Sequence, residues 1–161
     1  MRFLTFIICA MVAGVAAACV PDGETTTERI KRHEGFVSCV YKDIYGNHTI
    51  GWGHLLSKPV DSFMCWDEKY ADAVLAHDIA YSATTAAHDF GSSYPLLPAV
   101  PASVLTELAF WIGGAGLAQF TDFLRFMRQG DYAGAANDLD GTLLASQVPA
   151  RAGELSCLLR G

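Results

Sequence analysis

Charge is scarce in this chain. Asp, Glu, Lys and Arg make up 17% of its 161 residues, against 52% hydrophobic residues, and the formal charge is −6. Basic residues gather no further than Arg29, Lys31 and Arg32. Nucleic acid is held by clustered cations that neutralise phosphates, so nucleic-acid binding is excluded as the main role. The acidic balance also argues against electrostatic capture by an anionic surface. An anionic polymer would have to be held by groove contacts rather than long-range steering. Internal repeats and low-complexity tracts are absent. No CxxC or CxxH pair occurs, and neither Asp22 nor the histidines form a ligand pattern, so no metal site is expected. Beyond the N-terminus, no segment reads as apolar enough to span a membrane.

At the N-terminus, Arg2 precedes the uncharged stretch Phe3–Ala18, which ends in Ala16-Ala17-Ala18. A basic start, a short apolar run and a small-residue exit describe a secretory signal peptide. The run is short of the roughly 20 residues that a stable membrane span needs. Cleavage is expected after Ala18 or a few residues later, and loss of Arg2 takes the formal charge from −6 to −7. An uncleaved Ala/Gly-rich anchor is the alternative. A lipidated Cys19 is disfavoured by Ala16, which stands where a lipobox has Leu. Of the five cysteines, Cys9 leaves with the leader. Cys19, Cys39, Cys65 and Cys157 remain, an even number in an exported chain, which points to two disulfides with three pairings open.

The remainder is long enough for one domain, or one domain with two lobes. Thr25-x-x-Glu28 is a capping-box pattern, so a short helix is expected from about Thr26 to His33 or Glu34, ended by Gly35. Residues 37–56 lose helical period. Val40-Tyr41, Thr49-Ile50 and Trp52 favour strands, and Tyr45-Gly46-Asn47 is a turn signal, giving an antiparallel hairpin or three-stranded sheet. Pro59 to Phe63 reads as a loop. Asp67-Glu68 read as first-turn acids of a long helix, and Trp66, Tyr70, Val74, His77 and Tyr81 recur at helical spacing to about residue 88. After a loop over Gly91–Pro101, short helices are expected near 102–112, 117–128, 131–138 or slightly longer, and 149–159, divided by Gly113-Gly114, Gly130 and Pro149. A sheet at one end, a long helix and a helical cluster make an α+β arrangement with room for a cleft.

The stretch His33–Leu56 carries the chemistry: Glu34, then Asp43, then Thr49, with glycines at 46, 51 and 53. Taken singly these are a solvated carboxylate, a turn former and a strand residue. Together, two carboxylates and a hydroxyl on one turn-and-hairpin unit can hydrolyse a glycosidic bond. One acid protonates the leaving oxygen while the other polarises the attacking water.

The stretch resembles the phage-type lysozymes, a glycoside hydrolase family, through Glu34-Gly35, Tyr41-x-Asp43, Gly46 and Thr49-Ile50-Gly51-x-Gly53-His54. The likeness continues in Leu75-x-x-Asp78, then through Gly113 to Leu139 with Gly116, Phe120-Thr121, Leu124, Gly130 and Ala135-Ala136. It reaches Gln147-x-Pro149-x-Arg151-Ala152, covering roughly residues 26–161. It implies a mostly helical, two-lobed lysozyme fold. A β lobe with the first helix would span 19–64, a connecting helix 65–88 and a helical lobe 89–161.

The resemblance assigns Glu34 as general acid, Asp43 as the base-side carboxylate and Thr49 as a holder of the water. The family inverts configuration, which requires the carboxyls to stand further apart than the about 5–5.5 Å of retaining enzymes. Arg151 is expected to orient Glu34 by a salt bridge across the cleft. Such a bridge favours the carboxylate, and desolvation in the closed cleft must oppose it. Gln147, Gly51 and Trp111 are expected to bind or orient substrate, and His54 with Asp78 to form a structural ion pair. Two positions depart from the family: Trp111 stands where a polar cleft residue is expected, and Leu144 where a large aromatic is common. The layout implies the pairings Cys39–Cys65 and Cys19–Cys157. The activity implied is an endo-acting, secreted, monomeric muramidase without cofactor or metal, acting on peptidoglycan strands in bacteriolytic defence, digestion or lysis. Its setting is extracellular or a lysosomal or phagosomal lumen. The alternatives are a non-catalytic wall-glycan binder and a membrane-tethered endolysin. A chitin-cleaving side activity is compatible with either enzyme reading.

Overall fold

Thr25 and Glu28 do open the first helix, α1 (Thr26–Glu34). In this computed structural model, which describes residues 19–21, 23–43, 46–57 and 63–161, Thr25 Oγ1 accepts from the Glu28 amide at 3.2 Å. The Glu28 carboxylate accepts in turn from the Thr25 amide at 2.8 Å, so two donors at the helix start are satisfied reciprocally. Gly35 ends the helix at φ 69°, a backbone region that an L side chain enters only with strain. The leader at 1–18, Asp22, Tyr45 of the expected turn and 59–62 of the expected loop lie outside the described residues.

A three-stranded antiparallel sheet follows, in the order β1 (Val37–Lys42), β2 (His48–Gly51), β3 (His54–Leu55). Tyr41 pairs with Thr49, and Thr49 with Leu55. The segment entering the next helix runs along the outer edge of β1: the Val40 amide donates to Met64 at 3.0 Å and the Trp66 amide to Ser38 at 2.7 Å. The Cys39–Cys65 disulfide closes that contact, with the α-carbons 4.0 Å apart.

Asp67 caps the long helix α2 (Glu68–Phe90) by accepting from the Tyr70 amide at 2.7 Å. The spacing of Trp66, Tyr70, Val74, His77 and Tyr81 locates this helix but not its buried face. Tyr70 and Tyr81 are exposed, while Ala71, Leu75, Ser82, Ala86 and Phe90 face inward. The reason is interhelical distance. α2 packs closely on α3 (Ala99–Leu117), where a Cβ on Gly114 would fall 2.5 Å from Thr85, so small residues occupy the contact.

The expected loop at 91–101 holds a single 3₁₀ turn, Tyr94–Leu96, and α3 begins earlier than expected, with Pro101 in its first turns. The Gly113-Gly114 pair divides this stretch as expected: Gly113 (φ 70°, ψ 168°) is non-helical and breaks α3 into two helical pieces. By length and composition alone the Ala99–Leu117 stretch, with a mean hydropathy of 1.3, could cross a membrane, but Gly113 interrupts it. In the fold its Val104, Leu105, Leu108 and Leu117 are fully buried in the protein core.

Around α3 stand α4 (Thr121–Gln129), α5 (Tyr132–Asp140), a short α6 (Leu143–Gln147) that the sequence did not reveal, and α7 (Pro149–Arg160). Phe123, Met127, Leu139 and Leu155 complete this core. Each such side chain contributes about 1.5–3 kcal/mol by leaving water. Ile30, Ile50, Ala71 and Leu75 are buried outside that cluster, between α1, the sheet and α2.

The N-terminal segment is tied to α7 by the Cys19–Cys157 disulfide, so both pairings implied by the resemblance are present. Beside it, Glu154 of α7 meets Arg32 and His33 of α1, each at 2.9 Å. Burial pushes the Glu154 carboxyl up, but the hydrogen bonds and charges of Arg32 and His33 outweigh burial and hold it below its ordinary 4.5. The unfolded chain therefore binds this proton more readily. The stabilisation is fully present above pH 4.5 and is lost as pH falls through the depressed value. Glu154→Gln should lower Tm at neutral pH and flatten its decline in acid, as thermal melts across pH would show.

Candidate active site

Glu34 is the last residue of α1, and its carboxylate lies against the backbone of the turn between β2 and β3. A Cβ at Gly53 would sit 2.8 Å from Glu34 Oε2, and the glycine has φ 82°. Both facts demand glycine there. The neighbouring Trp52 holds this turn in place. Its indole donates to Asp72 Oδ1 at 2.7 Å, and Lys31 Nζ lies 2.6 Å from the same oxygen and 4.7 Å over the indole ring. The bond from Lys31, then that from Trp52, hold the Asp72 carboxyl below its usual value. The turn is thereby clamped between α1 and α2.

Asp43 follows β1 and accepts from the Asn47 amide at 2.8 Å and from Asn47 Nδ2 at 3.0 Å. Local bonds of this kind fix a short polar side chain at a turn. Thr49 is almost wholly buried in the central strand, opposite Tyr41. Tyr41 reports the neighbourhood. Burial first, and then the negative charges of Glu34 and Asp43, push its phenol above the ordinary 10.0. Both carboxylates thus act on one ring, and Thr49 is its cross-strand partner. The sequence placed Tyr41 in a motif without marking it as part of the site.

Arg151, near the start of α7, is buried, and its Nη1 donates to Glu34 Oε1 at 2.6 Å. The expected pair is present. Trp111 lies beneath it, with the guanidinium carbon 4.8 Å from the ring centroid, so this aromatic faces the arginine directly. Behind Arg151 are two residues the sequence did not single out. Arg151 Nε donates to Glu107 Oε1 at 3.3 Å, and Arg29 Nε donates to Glu107 Oε2 at 2.6 Å. The available signal was a lone carboxylate amid the apolar run Val104–Phe110, since a buried charge must be paired.

His54 Nδ1 and Asp78 Oδ2 lie 2.7 Å apart and join β3 to α2. They border a cleft of about 250 Å³ walled by Gly53 and Leu55 of the sheet side, Tyr81 of α2, and Phe110 and Gly113 of α3. Gly51 is buried behind the sheet, where a Cβ would lie 3.2 Å from Trp66 and from Ala71. Gln147 is exposed and lines a separate cavity of about 540 Å³ with Ile112, Phe120 and Leu144.

An acid gripped by a buried arginine beside a cleft, on this α+β frame, belongs to the lysozyme-type glycoside hydrolases, whose substrate is peptidoglycan. Residues 31–147 match the family model described as phage lysozyme, and the chain belongs to that family. The matched span takes in Glu34, Asp43, Thr49 and Glu107, while Arg29 and Arg151 flank it. No match was found among curated proteins.

Proposed function

We propose that this chain is an exported endo-muramidase that hydrolyses the β-1,4 bond between N-acetylmuramic acid and N-acetylglucosamine with inversion. The observation that carries the reading is the 2.6 Å bond from Arg151 to Glu34, which aims one carboxyl from the end of α1 at the turn beside the cleft. Glu34 protonates the glycosidic oxygen as the bond breaks. Asp43, held by Asn47, takes the proton of a water on the opposite face of the sugar, and Thr49 helps to hold that water. The chemistry needs water and no cofactor.

Arg151 orients Glu34. His54 and Asp78 hold the sheet to α2, while Trp111 backs the Arg151 guanidinium. The leader at 1–18 and the two disulfides fit an exported, monomeric enzyme acting in an oxidising compartment. The test is product analysis. Purified peptidoglycan digested by the protein should yield fragments whose new reducing sugar is N-acetylmuramic acid, released first as the α-anomer. Fragments that end in N-acetylglucosamine, or a β-anomer, would overturn the assignment.

A further inference from the structure

We propose that Glu107 is a positioning residue for the reaction: with Arg29 behind it, it fixes the Arg151 guanidinium against Glu34 and sets the electrostatic field on that acid. The inference rests on the reading of Glu34 as the acid.

Four side chains of alternating sign run from Arg29 through Glu107 and Arg151 to Glu34, carried by α1, α3 and α7. Glu107 is 0% exposed, Arg29 3% and Arg151 4%. The two oxygens of Glu107 are divided, Oε2 taking Arg29 and Oε1 taking Arg151. Arg151 uses Nε for Glu107 and Nη1 for Glu34, so a rotation of the guanidinium that frees one contact disturbs the other. This ties the direction of the acid to a carboxylate on a different helix.

Stability is a poor explanation for the arrangement. Buried ion pairs lose in desolvation much of what they gain in attraction, and apolar residues of like volume often serve as well or better. Here Arg29 Nη2 and Arg151 Nη2 are also buried without a hydrogen-bond partner among the described residues. The cluster instead has a definite electrostatic consequence. As seen from Glu34, Arg151 and Arg29 are positive and Glu107 negative, which leaves one net positive charge. The other groups around Glu34 are Tyr41 and, beyond it, Asp43 from the β1 side, and His33 with its partner Glu154 where α1 meets α7. Gly53 contributes only backbone.

Glu107→Gln raises the net charge facing Glu34 to two positive, Arg29→Met lowers it to zero, and the double variant restores one. The alkaline limb of peptidoglycan clearing marks loss of the proton that the acid must deliver. It should move down by about half a pH unit in Glu107→Gln and up by about as much in Arg29→Met, because charge one side chain removed acts more weakly than a direct neighbour. In the double variant it should return to the wild-type position. Glu107→Gln should also lose about tenfold in kcat as Arg151 slackens.

A role in packing alone predicts no such sign pattern. Coincident alkaline limbs, or shifts of the same sign, in folded variants overturn the proposal while an inactive Glu34→Gln leaves the functional reading intact. A Glu34→Gln protein that clears as fast as wild type overturns that reading instead. Circular-dichroism melts establish which variants are folded at the assay temperature. If Glu107→Gln is not, the direction of the Arg29→Met shift decides. Unfolding of both single variants would assign the cluster to stability and overturn the positioning role.

Discussion

Glu34→Gln should abolish clearing of purified peptidoglycan, with kcat falling about 10²–10⁴-fold, the range general acids contribute. The substitution is nearly isosteric. The amide oxygen can still accept from Arg151 Nη1, and the side chain still fits against Gly53. What it cannot do is deliver a proton to the leaving oxygen. Thermal melts should therefore place the variant within a few degrees of wild type, since the amide keeps the carboxylate's volume and its bond from Arg151. Equal clearing by both proteins would remove Glu34 from the role of acid. A wild-type protein that binds peptidoglycan without clearing it would favour a wall-glycan binder.

The second large effect is on stability and comes from the termini. Cys19 and Cys157 are separated by 138 residues, so their bond closes nearly all of the chain from residue 19 onward. On the chain-entropy account such a loop restricts the unfolded state by about 5 kcal/mol, against about 3.5 kcal/mol for the 26-residue separation of Cys39 and Cys65. At about 2–4 °C per kcal/mol for a domain of this size, the Cys19→Ala/Cys157→Ala pair should lower Tm by about 10–20 °C. The Cys39→Ala/Cys65→Ala pair should lower it by less.

The two losses should differ in kind. Cys39–Cys65 holds β1, whose neighbours are Asp43 and the Tyr41–Thr49 pair, so activity should suffer well below the melting point. Cys19–Cys157 sits away from the cleft, and its loss should leave kcat nearly unchanged in protein that is still folded. Melts and clearing assays on the same samples check both, and peptide mapping without reduction checks the pairing.

The parts of the fold legible in the sequence are those governed by neighbours along the chain. A Thr and a Glu three apart can cap a helix through bonds to their own backbone alone, and α1 starts where they stand. Gly46, Gly51 and Gly53 permit a turn-and-hairpin unit that few other residues allow, and the sheet forms over it. The less legible parts depend on what stands opposite. The face of α2 that turns inward was hidden because its small residues are selected by the closeness of α3, not by their own hydrophobicity.

The same division runs through the site. The stretch that carries the family motif is legible along the chain. Glu34, Asp43 and Thr49 fall at the end of α1, after β1 and in the central strand opposite Tyr41. The surroundings of the Glu34 carboxylate come from segments far apart in the chain. Arg29 and Glu107 are 78 residues apart and Glu107 and Arg151 are 44 apart, so their pairing exists only once α1, α3 and α7 pack together. Buried charges interact through a low-dielectric interior at distances that no sequence window contains, which is why this pairing is not legible along the chain.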